Sequence, residues 1–383
     1  MNQPATRFFN LKIIKPLLVL LYCIVALVIC RYAKKNSYYD LDIVMYTACA
    51  ISGNNASPAE IHKQAYAMAK KDLGEEKFAQ LTDSTKYFRN SVYKNAANFY
   101  SQLPFYTVKP LYVAVLSVAY KLGFSPILFS TYINIFCYLA IAAILLLYLT
   151  RISGFYKAYA ASFCIMLLPV LLDTLKSNTP DMPAALLILA ATLLLLSEKQ
   201  SFRNMAVVVC CLLIFTRPEN ILFVAAFSAV CFRTRLPEYP KKYLGFLFLS
   251  SCACYLVVTL MFKSYPWPLL YKHSFLGYIP DLQNADPSLT IKEYLLGLRF
   301  IPNSVFYSDF FLMIFLLVFP LFYMQGKKNI QAVMIFSLLA CIALRIVLFP
   351  DLATRFYTGF FILSFVLFYR QFFGRPAPQL PIN

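Results

Sequence analysis

Residues 127–149 read ILFSTYINIFCYLAIAAILLLYL, an apolar run without a single charged side chain. A helix needs about 20 such residues to cross the hydrocarbon core of a bilayer. Hydrophobic residues make up 60% of the 383-residue chain, whereas an ordinary soluble domain holds roughly half. The sequence therefore predicts an all-α, polytopic membrane protein, and we treat residues 1–383 as a single transmembrane domain.

Further apolar runs lie on both sides of this one, and together they predict about ten transmembrane helices. The expected spans are 16–32, 127–150, 154–172, 181–197, 204–216, 220–232, 243–262, 307–324, 329–349 and 355–371. The run over 110–122 is different, because as a helix it would cover only about 20 Å of a core that is roughly 30 Å thick. We expect it to lie at the membrane interface.

The basic residues set the orientation. With the N-terminus in the cytoplasm, the cytoplasmic loops hold 12 lysines and arginines, whereas the short outer loops hold only Lys176, Arg217 and Arg355. Both termini are then cytoplasmic, and two large loops, 33–109 and 263–306, face outward. We expect juxtamembrane helices in the first loop. The compact chain lacks organelle sorting signals, which indicates the bacterial inner (plasma) membrane.

The net charge of +18 does not indicate a nucleic-acid-binding protein, because the basic residues are spread among the loops instead of forming one stripe. The cysteines do not indicate a metal site either. Ten of the 11 lie inside apolar runs and no CxxC spacing occurs, so we interpret them as small buried hydrophobic residues.

Two acids, Asp40 and Asp42, follow the first span directly. In an extended segment both would point the same way, whereas on a helix their directions would differ by roughly 200° and one alone would face a site. A carboxylate beside a substrate hydroxyl is a suitable general base. The alternative is that Asp40 caps a helix running through 43–52 and that Asp42 is the functional acid.

The runs 204–216 and 220–232 are each too short to cross alone, so we expect a hairpin with Arg217 and Glu219 at a tip sunk in the membrane. Ionisable groups at such depth usually face a polar cavity or one another. The alternative is an ordinary helix turn with Arg217 reaching for lipid headgroups.

Other candidates for substrate binding lie in the outer loops, and each has a purely structural alternative. Lys109 and Tyr112 precede or begin the interfacial segment, where Lys109 would bind a lipid phosphate or anchor the helix. Asp181 follows NTP at 178–180, where Asn178 or Thr179 would cap the next helix. Arg355 would contact substrate or form a local ion pair with Asp351. His273 is a candidate substrate contact, and His62 is interpreted as a surface residue.

In these motifs the chain resembles the GT-C-type glycosyltransferases, which use polyprenyl-phosphate sugars as donors. Four places carry the resemblance. They are Asp42, Tyr46 and Ala50 in a DxxxYxxxA pattern; KPLY at 109–112 running to KLG at 121–123; NTPDMPAALLILAA at 178–191; and RPE at 217–219. The acids of the first loop depart from the family's usual adjacent DE pair, since a residue separates Asp40 from Asp42.

The resemblance implies a GT-C-like fold and a transfer of sugar from a polyprenyl-phosphate donor to a hydroxyl of a glycan, lipid or protein acceptor. Asp42 would be the general base of a single inverting displacement, with Asp40 as the second candidate. Cationic side chains would stabilise charge on the departing phosphate. The resemblance implies no cofactor, and a divalent metal ion is the less favoured alternative; the expected partners are the donor, the acceptor and membrane lipids.

Two other functions remain open. A transporter or flippase of lipid-linked sugars would share the basic and aromatic outer features, but its functional charges should run through the membrane. A non-catalytic subunit of an envelope-assembly complex would keep the fold without the chemistry, and a change at Asp42 would then have little effect.

Overall fold

The computed structural model describes residues 11–52, 57–299, 309–324 and 329–374. Within these ranges the chain forms α-helices joined by short 3₁₀ or π turns and contains no β-strand, so the all-α class is confirmed. The first residues of the predicted span 307–324 lie outside these ranges, and so do residues 300–306 of the second large loop.

Eighteen α-helices lie in the described ranges and are numbered here in chain order. They are α1 (Leu11–Lys35), α2 (Leu41–Ile51), α3 (Pro58–Leu81), α4 (Tyr87–Lys94), α5 (Ala96–Thr107), α6 (Pro110–Lys121), α7 (Pro126–Ser153), α8 (Phe155–Met166), α9 (Pro169–Lys176), α10 (Asp181–Leu195), α11 (Gln200–Thr216), α12 (Ile221–Thr234), α13 (Lys241–Met261), α14 (Trp267–Tyr271), α15 (Ile291–Leu298), α16 (Phe310–Val318), α17 (Ile330–Leu348) and α18 (Thr358–Phe373).

Five helices are long and apolar enough to cross a membrane: α1, α7, α13, α17, and α18 with its preceding 3₁₀ turn. Two bent pairs, α5 with α6 and α8 with α9, raise this number to seven if each pair counts as one span. Each of the ten predicted spans contains helical residues, but 154–172 is divided between α8 and α9, and α10, α11, α12 and α16 contain only 15, 17, 14 and 9 residues. The chain is thus an integral, multi-pass membrane protein with five to seven helices of spanning length in the described ranges.

The predicted interfacial segment is α6, which meets α5 at an angle of 114°. Pro110 is its first residue. Proline suits this position because the first N–H groups of a helix have no partner within the helix, and proline has no N–H. Lys109 lies at the bend itself. Tyr106 before the bend and Tyr112 after it both pack edge-on against Tyr46 of α2.

Two hydrophobic cores lie in the described chain. The larger one packs α7, α10 and α18 against the other long helices, with Tyr138, Leu189 and Phe361 fully buried. The smaller one surrounds α2 and belongs to the first large loop and α6; it buries Val44, Phe99 and other apolar side chains of α2 to α6. The described residues of the predicted first loop therefore form a packed helical layer that consists of α2 to α5.

Asn178 joins these two layers. Its Oδ1 accepts hydrogen bonds from Ser130 and Thr131 of α7 at 3.0 and 2.8 Å, and its Nδ2 donates to the carbonyl of Tyr38 at 3.2 Å. The expectation that Asn178 or Thr179 caps α10 is therefore wrong: the helix starts without a side-chain cap, because the Asn178 side chain is engaged elsewhere and Thr179 donates to Asp181. The contact holds the start of α2 beside the start of α10.

Candidate functional site

A cavity of about 500 Å³ lies where the starts of α2 and α10, the α11–α12 turn and residues 350–356 meet. Helix α4, the bend between α5 and α6 and the π turn over Lys272–Leu276 close it from the side of the two large loops. Its polar lining consists of Asp40, Asp42, Tyr46, Lys86, Tyr87, Arg89, Tyr106, Lys109, Thr179, Asp181, Arg217, His273, Ser274, Tyr278, Asp351 and Arg355. Five lysines or arginines face four aspartates, so the lining carries a formal charge of +1.

Seven of the nine predicted site residues line this one cavity: Asp40, Asp42, Lys109, Asp181, Arg217, His273 and Arg355. They come from six separate segments of the chain. The structure places the other two, Tyr112 and Glu219, behind the lining. Tyr112 is buried and packs edge-on against Tyr46, with 5.0 Å between the ring centroids, so it supports the wall.

Asp40 is the N-cap of α2, as the capping alternative predicted. Its Oδ1 accepts the backbone N–H of Leu41 at 2.7 Å and also pairs with Arg89 at 2.7 Å. The residue is extended and precedes the helix, so both acids reach the cavity although Asp42 is helical. Because Asp40 precedes the helix, the divergence expected of two helical acids does not arise. Both contacts of Asp40, its cap and its arginine, are made by Oδ1, and its side chain is 45% exposed.

Asp42 has a different environment. Its Oδ1 accepts a hydrogen bond from the hydroxyl of Tyr106 at 2.8 Å, and its Oδ2 lies 3.8 Å from a guanidinium nitrogen of Arg355. The second distance is longer than a hydrogen bond. The side chain is 28% exposed to the cavity. Asp42 is therefore held in place at one oxygen while the other is open to a bound molecule.

A buried chain of ion pairs runs from this point into the bundle. Arg355 lies 3.8 Å from Asp181, Asp181 pairs directly with Arg217, and Arg217 pairs with Glu219 at 2.5 Å. Glu219 also contacts Arg345 of α17 at 3.3 Å. Burial raises the pKa of Glu219, but Arg217, Arg345 and Lys109 outweigh it and lower the pKa to about 2. This network fixes the position of Arg217, and the hairpin tip faces a polar cavity as predicted.

Lys109 differs from the cations of this network. It is buried, and no carboxylate of the described residues lies within ion-pair distance of its ammonium group. The Nζ atom donates to the carbonyl of Phe105 at 3.2 Å and lies 4.8 Å from the ring centroid of Phe105 and 5.3 Å from that of Tyr106. Burial, with a smaller contribution from the nearby Arg217, lowers the pKa of Lys109 to about 8. The cavity thus contains a buried cation that an anionic ligand would neutralise.

The local ion pair between Asp351 and Arg355 does not form. Residues 351–353 are not helical, so the side chains four positions apart do not stand on one face. Asp351 instead accepts the N–H of Ala353 at 2.8 Å, while Arg355 turns to Asp42 and Asp181. His62 does not reach the cavity: it contacts the carbonyl of Val92 at 3.2 Å inside the core of the first loop.

Among the residues that the sequence did not single out, three make direct contacts with the predicted ones: Arg89 with Asp40, Tyr106 with Asp42 and Arg345 with Glu219. Arg345 carries a usable signal, because a lone arginine in an apolar span marks a functional or paired charge. Arg89 and Tyr106 carry no such signal, since each acquires its role only when α4 and α5 fold against α2. Among the described residues no group of three or more histidine, cysteine or acidic side chains is arranged to hold a metal ion.

With this geometry in hand, comparison with known proteins adds no relative: neither a protein-family model, nor a curated protein, nor a solved structure matches the chain. The cavity is therefore the main evidence on the function of this protein.

Proposed function

We propose that this protein is a membrane glycosyltransferase of GT-C type, which moves a sugar from a polyprenyl-phosphate donor to an acceptor hydroxyl at the outer face of the bacterial inner membrane. The observation that carries the proposal is the pairing, in one cavity, of a partly open carboxylate, Asp42, with a buried cation that lacks an anionic partner, Lys109. A general base and a phosphate-binding cation are what this transfer needs.

The reaction is a single displacement. Asp42 accepts the proton of the acceptor hydroxyl, and the hydroxyl oxygen forms a bond to the anomeric carbon of the donor sugar. The bond between that carbon and the phosphate oxygen breaks, and its electron pair leaves with the lipid phosphate. The hydroxyl of Tyr106 holds Asp42 by its hydrogen bond at 2.8 Å. Attack from the side opposite the phosphate inverts the anomeric configuration.

In this proposal the cations of the cavity stabilise the charge that develops on the leaving phosphate. Lys109 faces the cavity from the α5–α6 bend, and Arg217 and Arg355 face it from the hairpin tip and the loop before α18. Arg217 is held by Asp181 and Glu219, so its guanidinium is oriented before substrate binds. Such preorganised cations stabilise a departing phosphate more effectively than mobile ones. The acceptor is a glycan, lipid or protein hydroxyl.

The test is release of undecaprenyl phosphate by the purified protein from a panel of undecaprenyl-phosphate-linked hexoses and pentoses, with simple glycosides as acceptors. We expect turnover with at least one donor, and a product of inverted anomeric configuration by NMR. A retained configuration would overturn the single displacement. Absence of turnover with every donor, combined with movement of the same lipids across vesicle membranes, would favour the transporter instead.

A further inference from the structure

Four aromatic side chains, which we call the aromatic wall, line the cavity: Phe88, Phe105, His273 and Tyr278. Phe88 of α4 and Tyr278 stack with 5.1 Å between their ring centroids and an angle of 26° between their planes. His273 of the π turn contacts both, at 5.5 and 5.4 Å, and lies 5.9 Å from Phe105. The mechanism above uses none of these groups.

His273 has a defined protonation pattern. Its Nδ1 accepts the backbone N–H of Ile279 at 3.0 Å, so the ring proton of the neutral imidazole is on Nε2. Burial lowers the pKa of His273 to about 4, so the ring is neutral at physiological pH. His273 is only 6% exposed, and its Nε2 has no hydrogen-bond partner among the described residues. The histidine therefore presents a neutral N–H donor in an aromatic surround.

The segment that carries this histidine is fixed to the first loop. The Gln102 side chain donates to the carbonyl of Pro280 at 2.7 Å, and the N–H of Leu282 donates to Ser101 Oγ at 3.1 Å. Ser101 and Gln102 are both buried. Because these contacts hold residues 279–282 against α5, the wall is a rigid surface of the kind that positions a ligand.

We propose that Phe88, Phe105, His273 and Tyr278 form the subsite for the donor's sugar ring, with His273 Nε2–H donating to one ring hydroxyl. The inference rests on the proposed function. A pyranose presents an apolar face, which stacks on aromatic rings, and an edge of hydroxyls, which needs neutral donors and acceptors. Phe105 contacts both Lys109 and His273, so the wall adjoins the phosphate-binding cation. A sugar joined directly to that phosphate would lie on this wall.

Two substitutions at His273 separate its donor from its structural role. In His273→Asn the amide oxygen can replace Nδ1 as the acceptor for Ile279, but no donor reaches the place of Nε2. In His273→Gln the amide nitrogen reaches the place of Nε2, so the donor is retained. A lost hydrogen bond that leaves a substrate hydroxyl unpaired corresponds to about a tenfold loss of affinity. Thermal unfolding in detergent checks that both variants remain folded.

The experiment measures binding of two probes, undecaprenyl phosphate and undecaprenyl phosphate carrying the hexose that the wild type prefers. We expect His273→Asn to lose about tenfold in affinity for the sugar-linked probe and to bind the bare phosphate as the wild type does, and His273→Gln to regain most of the loss. Phe88→Leu should likewise weaken only the sugar-linked probe. Equal losses for both probes, or no loss for the sugar-linked one, would overturn the subsite while leaving the proposed function intact. Failure of the wild type to bind either probe would overturn both.

Discussion

Arg355 lies 3.8 Å from Asp42 although almost the whole chain separates them, and it lies at the same distance from Asp181. The guanidinium thus stands between the candidate base and the acid that holds Arg217. At this distance the guanidinium is too far from Asp42 to occupy its carboxylate with a hydrogen bond. Asp42 therefore has one oxygen free to accept a proton.

Replacing Asp42 by asparagine should lower turnover by about 10²–10⁴-fold, because the amide keeps the shape of the side chain but cannot accept the proton. Binding of the donor should change little. The measurement is the initial rate of undecaprenyl phosphate release, with donor affinity determined in parallel.

Asp40→Asn is the matched control for this change. Asparagine caps a helix as well as aspartate does, and the ion pair with Arg89 involves side chains that are 45% and 23% exposed. We expect turnover within a few-fold of the wild type. If Asp40→Asn abolished turnover and Asp42→Asn did not, the assignment of the base would be reversed.

Arg217→Met should destabilise the folded protein by about 3–5 kcal/mol, because it leaves buried Asp181 without its main cation. The double substitution Arg217→Met with Asp181→Asn should recover a large part of that loss, since both charges are then removed. Thermal unfolding in detergent measures both. Simple addition of the two single effects would show that the residues do not interact.

Binding of undecaprenyl phosphate should weaken as pH rises through about 8, because the pKa of Lys109 is lowered to that value by burial and the neutral amine no longer attracts phosphate. Lys109→Arg should bind independently of pH between 7 and about 9.5, since arginine stays charged. An unchanged pH profile in Lys109→Arg would exclude Lys109 as the phosphate contact.

The same lysine affects the stability of the unliganded protein in the opposite direction. The folded state holds the Lys109 pKa at about 8, below the ordinary 10.5, so the unfolded chain binds more protons between these values. The contribution of Lys109 to the free energy of unfolding therefore increases as pH rises from 8 to 10.5. The advantage of Lys109→Met over the wild type in thermal unfolding temperature should therefore shrink over this pH range.

The orientation of the chain can be tested with a membrane-impermeant maleimide. Lys292→Cys in α15 should react in intact cells, whereas Lys241→Cys at the start of α13 should react only after the membrane is opened. Both positions are exposed. The parent chain measures labelling of the 11 native cysteines. The reverse pattern would place the cavity on the cytoplasmic side.

Much of the fold follows from hydropathy, because an apolar run long enough to cross a bilayer forms a helix in lipid or in protein. The number of spans does not follow as directly. Helices α10, α11 and α12 are shorter than 18 residues, and a helix packed among others can be apolar without reaching both surfaces. The bend at Lys109 was predictable because Pro110 and the short segment after it are local signals.

The site was predictable where the chemistry is local to one segment. Asp40 was expected as a cap, and Arg217 with Glu219 as a charged hairpin tip, from neighbouring residues alone. The partners of Arg355 were not, because an arginine in a non-helical loop can reach acids on other segments, and Asp42 and Asp181 become its neighbours only in the folded protein. For the same reason the aromatic wall around His273 is not visible in the sequence.

The helices that carry the charged hairpin tip, α11 and α12, contain 17 and 14 residues and are therefore about 25 and 21 Å long. A bilayer core is roughly 30 Å thick; if both helices cross it, as the sequence predicts, the lipid beside them must thin or the helices must lie asymmetrically in it, at a cost of fractions of a kcal/mol per Å. Local thinning would lower the headgroup layer toward Arg217. A membrane of short-chain lipids should therefore suit this protein better than one of long-chain lipids, and the thickness of the bilayer becomes a physical variable of its activity.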